Sequence, residues 1–98
     1  MNLAANPVYE HGFDEETLEE LRGLRVIRLE LAQQQLERFA ETLNELTTRG
    51  LMSEDELASE SEQLRQELSD RVRVLTQRMA DPQAIYMDEI EFYLSFTR

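Results

Sequence analysis

The amino-acid sequence predicts an all-α protein, a long antiparallel helical hairpin followed by a C-terminal helix. Two observations lead to this prediction. The 98 residues include only 3 glycines and 2 prolines, too few for the many turns of an all-β fold. Apolar residues also recur at alternating three- and four-residue spacing along two long stretches, as on the buried faces of paired helices. We therefore expect a single helical domain over residues 13–98, preceded by an extended arm at residues 1–12.

The first helix is predicted from about residue 14 to about residue 49. Asp14 is a suitable N-cap, and the two glutamates that follow it favour the helix dipole. Between Leu24 and Ala32 the apolar residues cover more than one face of the helix, which predicts burial on more than one side. From there on they narrow to a seam that contacts one partner helix. This seam consists of Leu29, Ala32, Leu36, Phe39, Leu43 and Leu46.

The stretch from Glu45 to Leu57 is predicted to be the corner between two helices. Gly50 suits the left-handed position that follows a helix end, and Ser53 with Glu56 forms an S-x-x-E capping box for the next helix. The alternative for so acidic a stretch is a calcium loop, which needs ligands at alternate positions around a central glycine. The stretch does not have this order, so we interpret it as a corner.

The second helix is predicted over about residues 53–80, and its apolar residues form a second seam with heptad-like spacing. When this helix folds back on the first, the seams meet in register, with Phe39 opposite Leu64 and Leu36 opposite Leu68. The members of the second seam are Leu57, Ser61, Leu64, Leu68, Val72, Leu75 and Met79.

The third helix is predicted over about residues 82–96, with Asp81 as N-cap and Pro82 at the first helical position. Its apolar residues leave only a narrow polar edge, and so broad an apolar surface must be covered. A second copy would cover it by forming a homodimer with a helical-bundle core. A different protein would cover it equally well, and the sequence leaves both possibilities open.

The sequence offers little for catalysis or metal binding. It has no cysteine, and its one histidine, His11, lies in the predicted arm. Di-iron sites in helical bundles use Glu-x-x-His motifs, which are absent. A carboxylate site near the corner is conceivable but would face solvent, and it would consist of Glu41, Glu45, Glu56 and Glu60. We therefore predict a non-enzymatic protein with no cofactor and no metal.

The charges argue against direct nucleic-acid binding. The formal net charge is −11, because 21 acidic residues face 10 cations, all of them arginines. We expect these arginines to pair with carboxylates of the same chain, for example Arg22 with Glu19 and Arg73 with Asp70. No stretch approaches the roughly 18 apolar residues of a membrane span, and the N-terminal residues do not resemble a signal peptide. The expected protein is soluble and cytoplasmic, with no membrane contact.

Two functional hypotheses follow. The first is a protein-binding module, such as a small adaptor, chaperone or regulator, that acts as a helical homodimer. Its candidate contact residues are Leu24, Ile27, Ile85, Tyr86, Ile90, Phe92, Tyr93 and Phe96. The alternative is an acidic inhibitor that mimics nucleic acid and blocks a basic site on its target. Glu37, Glu41 and Glu45 would supply its row of carboxylates.

Overall fold

The computed structural model describes residues 7–97, which form three helices and no strand. The helices are α1 at Glu15–Thr48, α2 at Glu54–Arg78 and α3 at Met87–Thr97. α1 and α2 pack against each other as the predicted hairpin, and α3 packs on α1, within overall dimensions of 54 × 25 × 21 Å. The all-α fold with a hairpin and a C-terminal helix is therefore confirmed. None of the three helices is long and apolar enough to cross a membrane.

Local capping defines the beginning of α1. Asp14 has extended backbone angles, and its carboxylate accepts a hydrogen bond of 2.9 Å from the backbone N–H of Thr17. Hydrogen bonding to Thr17 holds the pKa of Asp14 below its ordinary value. Glu15 and Glu16 occupy the first turn, where their charge is favourable for the helix dipole. Residues 1–6 of the predicted arm lie outside the described residues.

The corner between α1 and α2 has the predicted geometry. Gly50 has φ +69°, and its N–H donates to the carbonyl of Thr47 at 3.0 Å. The N–H of Leu51 donates to the carbonyl of Leu46, also at 3.0 Å, which completes a Schellman motif. Ser53 then begins α2, because its hydroxyl accepts the N–H of Glu56 at 3.2 Å. The acidic stretch from Glu45 to Leu57 therefore contains the C-terminal cap of α1 and the N-terminal cap of α2.

The hairpin seam is buried unevenly along its length. Ala32 and Leu75 are fully buried near the end where α3 joins. Nearer the corner Leu57 and Leu68 are still buried, but Phe39 is only partly buried and Leu64 is 48% exposed. The cause is that the two helices form a single layer along this part of the hairpin, so part of the seam reaches solvent. The half of the hairpin nearer the corner therefore has an open apolar groove.

The third helix begins at Met87, five residues later than predicted. Ile85 is instead extended and forms an isolated antiparallel bridge with Val8, with hydrogen bonds of 2.7 and 3.1 Å between their backbones. A helix over residues 82–86 would withdraw these backbone groups from Val8. Asp81, the predicted N-cap, lies six residues before the helix and accepts a hydrogen bond from the hydroxyl of Tyr9 at 2.7 Å.

A glycine pair tests whether backbone conformation defines the corner. A Cβ would meet no atom within 4 Å at either Gly50 or Gly23, so steric crowding is the same at both positions. Gly50→Ala should destabilise the fold by about 1–2 kcal/mol, because an L-residue is strained at positive φ. Gly23→Ala lies within α1 and should stabilise it by up to about 1 kcal/mol. Urea unfolding of both variants measures the difference, and equal effects would contradict the corner geometry.

Candidate protein-docking groove

A buried ion pair fixes α3 against the hairpin. Arg25 of α1 and Glu89 of α3 have side chains only 2% and 3% exposed. The Arg25 Nε donates to Glu89 Oε2 at 2.6 Å, and Nη2 donates to Oε1 at 2.7 Å, so the contact is bidentate. Paired hydrogen bonds of this kind fix direction as well as distance. The pair therefore orients α3 on α1.

Arg25 also binds the backbone of the segment between α2 and α3. Its Nη1 donates to the carbonyl of Arg78 at 2.8 Å, and its Nη2 donates to the carbonyl of Ala84 at 2.8 Å. Glu89 in turn accepts the backbone N–H of Tyr86 at 3.1 Å. One side chain from the first third of α1 thus holds the end of α2, the connecting loop and the first turn of α3.

A second carboxylate extends this cluster toward solvent. Asp88 accepts from Arg78 Nη1 at 2.9 Å and from both terminal nitrogens of Arg28 at 3.4 Å. Burial alone would raise the pKa of Asp88, but the two arginines outweigh it, so the pKa lies below its ordinary value. The guanidinium of Arg78 also stacks on the Tyr86 ring, 3.9 Å from the ring centre. Arg28 and Arg78 together therefore hold the carboxylate of Asp88 in place.

The predicted pairing of arginines within the chain is confirmed for Arg73, which contacts Asp70 at 3.5 Å, whereas Arg22 pairs with Glu15 rather than Glu19. The Arg25–Glu89 pair is not among the pairs predicted from the sequence. A signal for it is present, because Arg25 occupies the position where the hairpin seam continues toward Leu21 and Leu18. A charged side chain at a seam position indicates a buried partner of opposite charge. An arginine elsewhere on the helix is ordinarily exposed to solvent.

With α3 fixed in this orientation, an apolar groove of about 380 Å³ opens between α1 and α3. We call it the α1–α3 groove. Its exposed apolar side chains are Ile27, 52% exposed, and Phe96, 65% exposed. These two side chains give the groove an exposed apolar floor. The lining consists of Glu20, Gly23, Leu24, Ile27, Tyr93, Phe96 and Thr97.

The rim of the α1–α3 groove is acidic. The hydroxyl of Tyr93 donates to Glu20 at 2.9 Å. This hydrogen bond, together with desolvation and the charges of Glu20, Asp14 and Glu16, raises the pKa of Tyr93 above its ordinary value. Of these three carboxylates, Glu20 lines the groove itself. The site therefore combines an apolar floor with a negative edge.

The eight candidate contact residues divide between this groove and other surroundings. Leu24, Ile27, Tyr93 and Phe96 line the groove together. The other four lie elsewhere. Ile85 is fully buried with Leu18 and Leu21, Ile90 packs on that core, Tyr86 lies against Arg78, and Phe92 lies 4.9 Å from the Arg28 guanidinium.

The described residues give no support to an alternative metal site. Within residues 7–97 no group of three or more histidine, aspartate or glutamate side chains is arranged to hold a metal ion. His11 stacks on Phe13, and its Nδ1 accepts the Phe13 backbone N–H at 3.1 Å. Its ring therefore has a local structural contact in the segment before α1.

Removal of one member of the buried pair tests its structural role. Arg25→Met should destabilise the fold by about 3–5 kcal/mol, because it leaves Glu89 buried without its counter-charge. Arg65→Met is the matched control, since Arg65 forms an exposed pair with Glu62 and its loss should cost at most about 1 kcal/mol. Urea unfolding of both variants compares the two costs. Similar values would show that Arg25 does not anchor the fold.

No family model, curated protein or solved structure matches this chain.

Proposed function

We propose that this chain is a non-enzymatic protein-binding module, a small adaptor, chaperone or regulator, that acts as a homodimer. The α1–α3 groove is its docking site, and the ligand is a basic amphipathic helix of another protein. The observation that carries this proposal is the combination of an exposed apolar floor, formed by Ile27 and Phe96, with an acidic rim at Glu20.

The shape and charge of the groove favour such a ligand. A groove between two helices accepts the apolar face of a third helix, whose side chains at i, i+3, i+4 and i+7 enter it. The carboxylate of Glu20 lies in the groove lining and attracts lysine or arginine on the polar face of that helix. The net charge of −11 attracts a basic partner at longer range as well.

The buried ion pair contributes to binding without touching the ligand. Arg25 and Glu89 are almost completely buried and do not line the groove. Because they fix α3 on α1 before a ligand arrives, the groove walls need no ordering on binding, which lowers the entropic cost. A preformed groove suits a module whose function is recognition.

Charge introduction at the groove tests the docking site. Phe96→Glu should weaken binding of a labelled amphipathic helix, with leucines on one face and lysines on the other, by at least about tenfold, because it places a charge on the apolar floor. The matched control is Leu94→Glu, since Leu94 is 43% exposed on the same helix but does not line the groove. Fluorescence anisotropy gives both affinities.

Two outcomes would contradict this assignment. One is equal affinity of the Phe96→Glu and Leu94→Glu variants for the lysine-bearing peptide. The other is equal affinity of the wild-type chain for that peptide and for a version with glutamates in place of the lysines. The second outcome would exclude the acidic rim as a determinant of specificity.

The acidic inhibitor is the second candidate function, and the exposed face of α1 favours it. Glu37 and Glu41 are exposed, and neither forms an ion pair with another described residue. Glu45 follows on the same face and pairs with Arg49 at 2.7 Å. A row of carboxylates along a rigid helix can occupy a basic groove in place of nucleic-acid phosphates.

The two functions respond differently to loss of this row. If the chain mimics nucleic acid, Glu37→Gln, Glu41→Gln and Glu45→Gln together should abolish its competition with DNA or RNA for a basic target, as measured by filter binding. A helix-binding module should retain its affinity for the lysine-bearing peptide in the same triple variant. Retained competition would exclude the mimic.

A further inference from the structure

The open part of the hairpin carries a second groove, which we call the hairpin groove. It has a volume of about 440 Å³ and lies between the halves of α1 and α2 nearer the corner. Phe39 and Leu64 form its apolar centre, and Leu64 is 48% exposed there. Its lining consists of Gln35, Arg38, Phe39, Thr42, Leu64, Glu67, Leu68 and Arg71. It shares no lining residue with the α1–α3 groove.

The charges around the hairpin groove stand out from those of the rest of the chain. Among the arginines that the structure describes, only Arg38 and Arg71 have no carboxylate within ion-pair distance, although the chain has 21 acidic residues. Both of them line this groove. Glu67 lies there too, and its contact within the described residues is a hydrogen bond from Gln63 at 3.4 Å. The groove therefore has charges of both signs without ionic partners.

Arg38 and Glu67 lie at the same height along the hairpin. Arg71 of α2 donates across the groove to Gln35 of α1 at 3.4 Å, so these two residues lie at similar levels of the hairpin. Arg38 lies three residues after Gln35 on α1, and Glu67 lies four residues before Arg71 on α2. Because the helices are antiparallel, both residues lie about one helical turn closer to the corner. Phe39 and Leu64 lie between them.

We infer that the hairpin groove is the interface of a symmetric homodimer in which Arg38 of each copy pairs with Glu67 of the other. We place the two-fold axis parallel to the hairpin. Equivalent residues of the two copies then lie at the same level along this axis, and α1 of one copy packs on α2 of the other. Arg38 then meets the opposite Glu67 twice, and Phe39 packs on the opposite Leu64. The result is a four-helix bundle with an apolar centre and flanking charge pairs, as at the e and g positions of coiled coils.

Self-complementarity identifies the occupant as a second copy. A partner helix of one charge would meet a like charge at either Arg38 or Glu67, which costs binding energy. The same surface turned by 180° instead opposes each charge with its complement. A second copy also supplies the missing layer, because a single hairpin buries only one side of each helix. This inference rests on the homodimer in the proposed function and assigns its interface.

Charge reversal tests the pairing. In a dimer of the Arg38→Glu variant, two glutamates face each other at each contact, and in a dimer of the Glu67→Arg variant, two arginines do. Each variant alone should therefore dimerise at least about tenfold more weakly than the wild type. When the two variants are mixed, both contacts of the heterodimer join opposite charges, and dimerisation should return. Light scattering distinguishes the dimer from the 11.5 kDa monomer. Circular dichroism shows that each variant is folded, and Arg38→Gln provides a milder test.

Arg65→Glu is the matched control, because it changes the net charge equally but lies outside the groove in an exposed pair with Glu62. It should remain dimeric. The inference is overturned if Arg38→Glu dimerises as the wild type does, or if the mixture of the two variants stays monomeric. A monomeric wild type overturns it as well. Affinity for the lysine-bearing peptide is measured on the same samples, so failure of this interface is distinguishable from failure of the α1–α3 groove.

Discussion

The fold depends on one buried ion pair. Apolar contacts are not directional, so they alone do not specify one position of the 11-residue α3 on α1. Arg25 prevents this because its guanidinium is directional and reaches Glu89 and two backbone carbonyls at once. Burial of two charges is costly, and the cost is offset only where the remaining donors are satisfied. Here the surrounding carbonyls meet that condition, so the pair determines a single arrangement of α3.

The two ends of the molecule differ in consequence. At one end three helices and the Val8–Ile85 bridge surround a small core and a network of charges. At the other end two helices form a single layer with an open groove. The α1–α3 groove exists only where α3 is anchored, and the hairpin groove exists only where α3 is absent. One structural cause therefore produces both candidate interaction surfaces, an acidic one suited to a basic helix and a self-complementary one suited to a second copy.

Much of the architecture could be predicted from local sequence. The caps at Asp14, Gly50 and Ser53 act within a few residues, so their chemistry can be identified without knowledge of the fold. The beginning of α3 could not, because it depends on Val8, a residue distant in sequence. The burial of Arg25 has a related cause, since its partner Glu89 lies 64 residues away in sequence and a charged residue on a helix ordinarily faces solvent. Four candidate contact residues meet in one groove because the facing sides of α1 and α3 bring them together. Their residue types alone do not distinguish them from Ile85, which lies in the core. The four are Leu24, Ile27, Tyr93 and Phe96.

Amide hydrogen exchange tests the central claim that the Arg25–Glu89 pair holds α3 on α1 and thereby forms the α1–α3 groove. Exchange is measured in the wild type and in a folded Glu89→Gln variant, with α2 as the internal reference. We predict that the amides of α3 lose most of their protection in the variant while those around Leu57 and Leu68 keep theirs, because local opening follows the lost contact. Unchanged protection of α3 would contradict the account.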